Sequence, residues 1–495
     1  MLYHSTRDKS ASKNSAETIV QGLSFDGGLF VPETVPAITE NDLNELVKMR
    51  YPSRAAKIIK LFCDDFSEEE LSLLTERAYC EEKFHNKDVA PVKKAEGGVY
   101  FLELWHGPTC AFKDFALQML PGLLTMSMAK TGEKRDVCIL VATSGDTGKA
   151  ALEGFCDVAR TKILVFYPRD GVSEIQKLQM VTQSGGNVEV IAVNGNFDDA
   201  QTGVKRIFSD TDLRERINEK GVFLSSANSI NCGRLIPQIA YYFSAYCELV
   251  KSGEITMGDK INFCVPTGNF GNILAGYYAM RMGLPVNKLI CASNENDVLT
   301  EFISTGVYNR NRTFYTTSSP SMDILVSSNL ERLVYEMSGQ DDALIRSYMA
   351  ALSEAGIYEV SDTIKNKISE IFDCGSADES ETKDTIRKLF ENESYLIDTH
   401  TAVAYSVLSG YREKTGDKTK TVVVSTASAY KFCDRVLEAL GHNSNGLSAA
   451  QLIERLEEVT KTSAPKPLGA LHTREVRFSK AVEKDGTLAA VEAFL

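Results

Sequence analysis

Lys113 stands in "HGPTCAFKDFALQ" (106–118), between Phe112 and Phe115 and just after a Gly-Pro turn. Lysine is among the residues least often buried. An amine in low-dielectric surroundings gives up its proton more readily, and that makes it a nucleophile and a base. Its commonest covalent use is a Schiff base with a carbonyl. The stretch also suits a plainer role: a lysine that snorkels from a helix start, with Asp114 as an acid of the first turn.

Two further stretches suit anions. In "ILVATSGDTGKAALEGF" (139–155) an apolar run enters a small polar turn and then a helical pattern. Free N–H groups and the positive dipole end at such a helix start attract negative charge. A nucleotide P-loop is excluded, because only two residues separate Gly145 from Gly148 and Ala150 stands where a metal-binding hydroxyl is needed. A simple turn capped by Ser144 or Asp146 is the other reading. "CVPTGNFGNILAGYYAM" (264–280) repeats the design, with Gly268, Asn269, Gly271 and Asn272 suited to left-handed conformations and a nest of N–H groups for a phosphate. A Schiff-base lysine together with a Gly-rich phosphate nest implies pyridoxal phosphate. "VVVSTASAYKF" (422–432) ends an apolar run on Ser425, Thr426 and Ser428, which serve a ligand or cap the next helix. "SNEND" (293–297), "SPSMDIL" (319–325) and "DTHTAVAY" (398–405) are polar turns, the last two expected to open helices; His400 in the last is a ligand, an acid or a structural histidine.

The elements that must position these residues follow from the hydrophobic pattern. From about residue 96, short β-branched runs recur: "VYFLEL", "DVCILVAT", "KILVFYP", "NVEVIAV", "NFCVPT", "KLICAS" and "KTVVVST". Helix-period stretches such as "KAALEGFCDVAR" and "AQTGVKRIFSD" lie between them. Runs that are apolar throughout and alternate with helices predict parallel sheets covered on both faces. Ligands bind at the carboxyl ends of such strands, which is where the polar turns fall. Residues 1–95 read as a separate, mainly helical N-terminal domain, with Ser67 and Glu70 forming a capping box. Residues 96–495 read as the catalytic region, with 137–225 as a smaller, mobile lobe that closes over substrate. The polar "GSADESETKDT" (375–385) reads as a surface excursion, and "TSAPKPLG" (462–469) as a loop.

The 495 residues carry a net charge of −13, which argues against a nucleic-acid partner and against anionic membrane surfaces. The 11 cysteines are scattered, without C-x-x-C pairs or zinc-ligand spacing, so no metal is expected and a reducing compartment is. The first residues lack an apolar leader pattern and no run is long enough to span a bilayer. The chain reads as cytoplasmic.

Five motifs in order, "HGPTCAFKDFALQ", "ATSGDTG", "PTGNFGN", "SMDILVSSNLERL" and "STASAYKF", resemble the threonine synthase family. "GLSFDGGLFVPE" and "SANSIN" are similar to its segments too, and the likeness runs from about residue 20 to past 430. It is to the longer, microbial and fungal type. The resemblance implies an α/β enzyme of the tryptophan-synthase-β class (fold type II), with two parallel-sheet lobes and pyridoxal 5'-phosphate as cofactor. It implies O-phospho-L-homoserine and water as substrates and L-threonine and phosphate as products, in a monomer or homodimer. Lys113 matches the cofactor-bearing lysine and serves as the base. Gly268, Asn269, Phe270 and Asn272 match the cofactor-phosphate loop, and Thr426 matches the residue facing the pyridine nitrogen. Thr143, Ser144 and Thr147 match a loop that holds the substrate carboxylate. Two departures stand out: Ala142, where an asparagine contacting the cofactor's phenolic oxygen is expected, and Cys232, where a bulkier residue is expected. Arg234 and Lys177 are candidates for the substrate phosphate or are surface residues. The alternative reading is a pyridoxal-dependent phospho-lyase of a phosphorylated amino alcohol or amino acid, forming a keto product.

Overall fold

The computed structural model describes residues 1–169 and 172–495. All seven apolar runs form strands, and they divide between two sheets. In the larger sheet the order is Phe372–Ser376, Val286–Ser293, Ile261–Pro266, Thr421–Ser425, Val99–Glu103 and Val92–Lys94, parallel throughout except for the last pair. The smaller sheet runs Ala481–Glu483, Val188–Asn194, Thr161–Pro168, Asp136–Ala142 and Val222–Ser225, and is all parallel. Every residue of Ile261–Pro266 and Thr421–Ser425 is buried, because helices cover both faces.

Three elements correct the sequence reading, one being 462–469, read as a loop, whose last four residues form the short helix Lys466–Gly469. The polar stretch 375–385 is no excursion. It finishes the edge strand Phe372–Ser376 and starts the helix Glu379–Glu393, whose Thr382, Ile386 and Leu389 are buried beneath an otherwise charged surface. "SPSMDIL" opens no α-helix; it forms a single 3₁₀ turn at Pro320–Met322. The capping box of Ser67 and Glu70 forms as expected. Among the described residues no helix is long and apolar enough to cross a membrane, and all 11 cysteines are free.

The N-terminal extension carries helices and also a three-stranded antiparallel sheet of Asp8–Lys13, Tyr3–Ser5 and Phe30–Pro32. Buried arginines tie it to the rest. Arg54 donates to Ser244 at 3.0 Å and pairs with Glu248 at 2.6 Å on the helix Cys232–Lys251. Arg332 reaches the Phe30 carbonyl at 3.0 Å.

The register of the large sheet sets the site. Ser425 and Glu103 are paired strand ends, so the loops that leave them run side by side. The Phe112 N–H donates to the Thr426 carbonyl at 2.8 Å, and the Ser428 N–H to the Cys110 carbonyl at 3.1 Å. Lys113 and Thr426 become neighbours although 313 positions separate them along the chain (426 − 113).

The chain end completes the smaller sheet. Ala481–Glu483 adds to its edge, and the helix Thr487–Phe494 buries Ala490 and Val491 against it. Val491→Ala is expected to cost about 2 kcal/mol, the usual range for deleting buried methyl groups, seen as a lower denaturant midpoint. Val476→Ala, at a position 55% exposed, should stay within about 0.5 kcal/mol. Equal effects would mean that the terminal helix contributes no packing.

Candidate active site

Lys113 begins the helix Lys113–Leu117 and is 8% exposed. Its turn is built by Asp114, which is no surface acid. The Asp114 carboxylate accepts the Thr109 N–H at 2.9 Å and the Thr109 hydroxyl at 2.6 Å, and burial pushes its carboxyl up to about 6. A Cβ on Gly107 would sit 2.5 Å from that carboxylate, so the close approach requires glycine. Phe115 packs edge-on against Tyr51, Phe84 and Tyr241, anchoring the helix in the core. Phe112 lies beside the amine, its ring centre 4.7 Å from Nζ. The amine has only loose partners: the Ser321 hydroxyl at 3.4 Å and the Asp146 carboxylate at 3.6 Å. Burial lowers its pKa, Asp146 opposes the shift, and Lys431 and Arg234 reinforce it.

A cavity of about 1450 Å³ opens at Lys113. It gathers the sequence candidates on one wall system: Lys113, both glycine-containing turns and Thr426. Thr143 shapes its own turn, since its hydroxyl accepts the Gly145 and Gly148 N–H groups at 3.0 and 2.9 Å. Ser144 and Thr147 face the same cavity. Gly145 takes φ +141°, and a Cβ there would meet the Gln176 amide at 2.6 Å. Neither Ser144 nor Asp146 caps the helix that follows. Asp146 instead accepts from Lys431 at 2.8 Å and Gln176 at 2.7 Å, and these contacts, with Lys113, outweigh its burial and hold its carboxyl well below the usual range.

The second turn departs from expectation in one detail. Its left-handed residue is Phe270, at φ +60°, and not a glycine or an asparagine. Gly268 is required for another reason: a Cβ there would lie 2.5 Å from the Ser321 carbonyl oxygen. The helix Gly271–Arg281 starts with no side-chain cap. Tyr241 and Tyr242 donate to the Asn272 side-chain oxygen at 2.6 and 2.8 Å, and its buried amide nitrogen has no partner among the described residues.

The other polar turns brace these walls. Asn294 and Asn296 donate to Asp323 at 2.8 and 3.0 Å, joining "SNEND" to "SPSMDIL". His400 accepts the Ser321 N–H at Nε2 (3.2 Å), and its Nδ1 bonds Asp398 at 2.8 Å, so the histidine orients the Ser321 turn. Cys232 faces away from the cavity and donates to Thr18 at 3.2 Å, whereas Ala142 lines it. Lys177 does not line it; Arg234 does, and it is 3% exposed rather than superficial. Arg234 donates to the Ala227 carbonyl at 2.6 Å, its Nε has no acceptor and it pairs with no carboxylate among the described residues. Burial pulls its pKa down to about 10. The sequence reading gave Asp146 only a role as turn cap and gave Ser321 and Lys431 none, although all three lie inside quoted motifs.

These residues fit pyridoxal phosphate. An uncapped helix start with an orphaned amide suits its phosphate, a desolvated amine suits its carbonyl, and Thr426, just past a strand end, lines the same cavity. Gly268→Ala is expected to push the Ser321 turn outward and weaken pyridoxal phosphate binding about tenfold, or ~1.4 kcal/mol, with an unchanged melting temperature. Titration of the cofactor by absorbance checks this. Unchanged affinity would mean that the Ser321 turn yields freely.

Family models match nearly the whole length of the chain in sequence order: "Threonine synthase N terminus" over residues 2–79, "Pyridoxal-phosphate dependent enzyme" over 88–427, and "Threonine synthase, C-terminal" over 401–495. The chain is 38% identical to threonine synthase of Pseudomonas aeruginosa over 463 residues, covering 93% of this chain and 95% of that protein. It is 39% identical to human threonine synthase-like 1 over 456 residues, 90% of this chain, and spans only 60% of that longer protein. The crystal structure of pyridoxal-phosphate-bound threonine synthase from Brucella melitensis superposes with a TM-score of 0.88 at 34% identity, covering 100% of this chain and 98% of that one. The two parallel-sheet lobes are those of fold type II. With its N-terminal, central and C-terminal segments all matched in order and close relatives covered over nearly their full length, the chain belongs to the threonine synthase family of pyridoxal-phosphate-dependent enzymes.

Proposed function

We propose that this enzyme converts O-phospho-L-homoserine and water to L-threonine and phosphate. The observation that carries the reading is Arg234, a buried guanidinium with no acid partner among the described residues, in the same cavity as Lys113. A buried cation without a counter-charge is costly, and a phosphate on the substrate would supply the missing charge through charge-assisted hydrogen bonds. The phosphate turn at Gly268–Asn272 is separate and serves the cofactor. The turn of Ser144 and Thr147 lies at a third position and serves the substrate carboxylate.

Pyridoxal phosphate supplies the electron sink for removing protons near an amino group. The Lys113 amine moves those protons: it takes one from Cα and one from Cβ of the substrate and returns protons as phosphate leaves Cγ and water oxygen bonds to Cβ. Its lowered pKa keeps a share of the amine unprotonated for that work. Phe112 shields the amine from bulk water. The Thr426 side chain, which lines the cavity, offers a neutral hydroxyl to the cofactor ring. The smaller lobe, taken as 137–225 with the added C-terminal strand, closes over the cavity and carries Ser144 and Thr147 with it.

The test is to incubate the holoenzyme with O-phospho-L-homoserine and to measure threonine and free phosphate together. Equal amounts are expected. A keto acid in place of threonine would identify a phospho-lyase and overturn the proposal. Lys113→Ala should abolish both products, and threonine formed at the normal rate would remove the lysine from the mechanism. Arg234→Met should keep the cofactor and lose roughly 100-fold in kcat/KM, about 3 kcal/mol of charged hydrogen bonding.

A further inference from the structure

Around and behind the cavity wall at Lys113 lies more buried charge than this reaction uses. Lys113, Asp146 and Lys431 are 8%, 4% and 0% exposed, and only one of the three is an acid. Asp146 comes from the smaller lobe, at the start of the helix Asp146–Phe155. Lys431 comes from the larger lobe, in the 3₁₀ turn Ala429–Phe432 that follows the strand Thr421–Ser425. One oxygen of Asp146 accepts from Lys431 at 2.8 Å and from Gln176 at 2.7 Å; the other lies 3.6 Å from the Lys113 nitrogen. Lys431 also donates to the Thr109 carbonyl at 2.8 Å, in the loop that delivers Lys113. Lys431 does not line the cavity; its contacts toward the site are Asp146 and Thr109.

We propose that Asp146 and Lys431 are a positioning pair for Lys113: Asp146, held by Lys431 and Gln176, keeps the Lys113 side chain at the cavity floor and balances the charge on its nitrogen, and Lys431 limits that balance so that the nitrogen can release its proton. This rests on Lys113 being the amine that joins the cofactor. The charged groups that act on the nitrogen are Asp146 from the smaller lobe, 3.6 Å away, Lys431 from the larger, and Arg234 from the helix Cys232–Lys251. Asp114 is turned to Thr109, and His400 stands behind Ser321. An opposite charge within a few ångströms favours the protonated nitrogen and a like charge disfavours it. Asp146 and Lys431 therefore act on Lys113 with opposite signs, and their opposition is what separates a charge-setting pair from a merely structural ion pair.

The test titrates the absorption band of the bound cofactor against pH in the holoenzyme, which reads the ionisation at the Lys113 nitrogen without turnover. Borohydride reduction followed by peptide mass analysis first places the cofactor on Lys113; a cofactor attached elsewhere overturns the lysine assignment and this proposal together. With that attachment in place, Asp146→Asn is expected to lower the midpoint by about one pH unit and Lys431→Gln to raise it by about one unit. The double variant Asp146→Asn/Lys431→Gln removes both influences and should return within about half a unit of wild type. It also stands in if Lys431→Gln alone does not fold, because it leaves no unpaired charge in the pair. Shifts in the same direction, a shift in one variant only, or midpoints within about 0.3 unit of wild type in all of them overturn the pair while leaving the function of Lys113 intact.

Discussion

Removing an ammonium group from water is among the largest penalties a fold can accept, and the surroundings of Lys113 are organised around it. Burial alone would drive the proton off; a tight ion pair would hold it on. The structure stays between these limits. The carboxylate of Asp146 stands 3.6 Å away and gives its closest contacts to Lys431 and Gln176. The amine is thus compensated enough to be tolerated and free enough to react. Phe112 at its side and Phe115 in the core keep the first helical turn from relaxing toward solvent.

Placing two polar turns and a buried arginine around one amine depends on where parallel strands end. All strands of a parallel sheet deliver their loops to one edge, and two such sheets facing a common cavity double the number of loops available. Each sheet contributes a helix start without a side-chain cap, at Asp146 and at Gly271. A side-chain cap would occupy the N–H groups an anion needs, so these two helix starts differ in purpose from the capped helices of the N-terminal extension, such as those begun by Thr39 and Ser67. The glycines at 107, 145 and 268 admit neighbouring atoms where a Cβ would lie 2.5 to 2.6 Å from them. Those at 107 and 268 are set by approach, Gly145 by approach and by its φ of +141°, and the left-handed residue of the turn at 268–272 is Phe270.

Much of this was legible in the chain itself. Seven strands could be read because strands covered on both faces are apolar throughout, and that signal is local. The polar turns that follow them marked Lys113, the two glycine-containing turns and Thr426 for the same reason, and all of these line one cavity. What the sequence left open depends on contacts between distant segments. Phe372–Ser376 and Ala481–Glu483 are short edge strands with little apolar pattern, and they become strands only because a neighbour offers an unpaired edge. Asp146 read as one of two possible helix caps and Arg234 as a phosphate candidate or a surface residue; their burial is decided by Lys431, Gln176 and the helix Cys232–Lys251 packing around them. Residue type and spacing determined which chemistry was present. Only the tertiary structure decided which charges face one another, because electrostatic interaction depends on distance and desolvation through space, and neither is encoded in the order of residues along the chain.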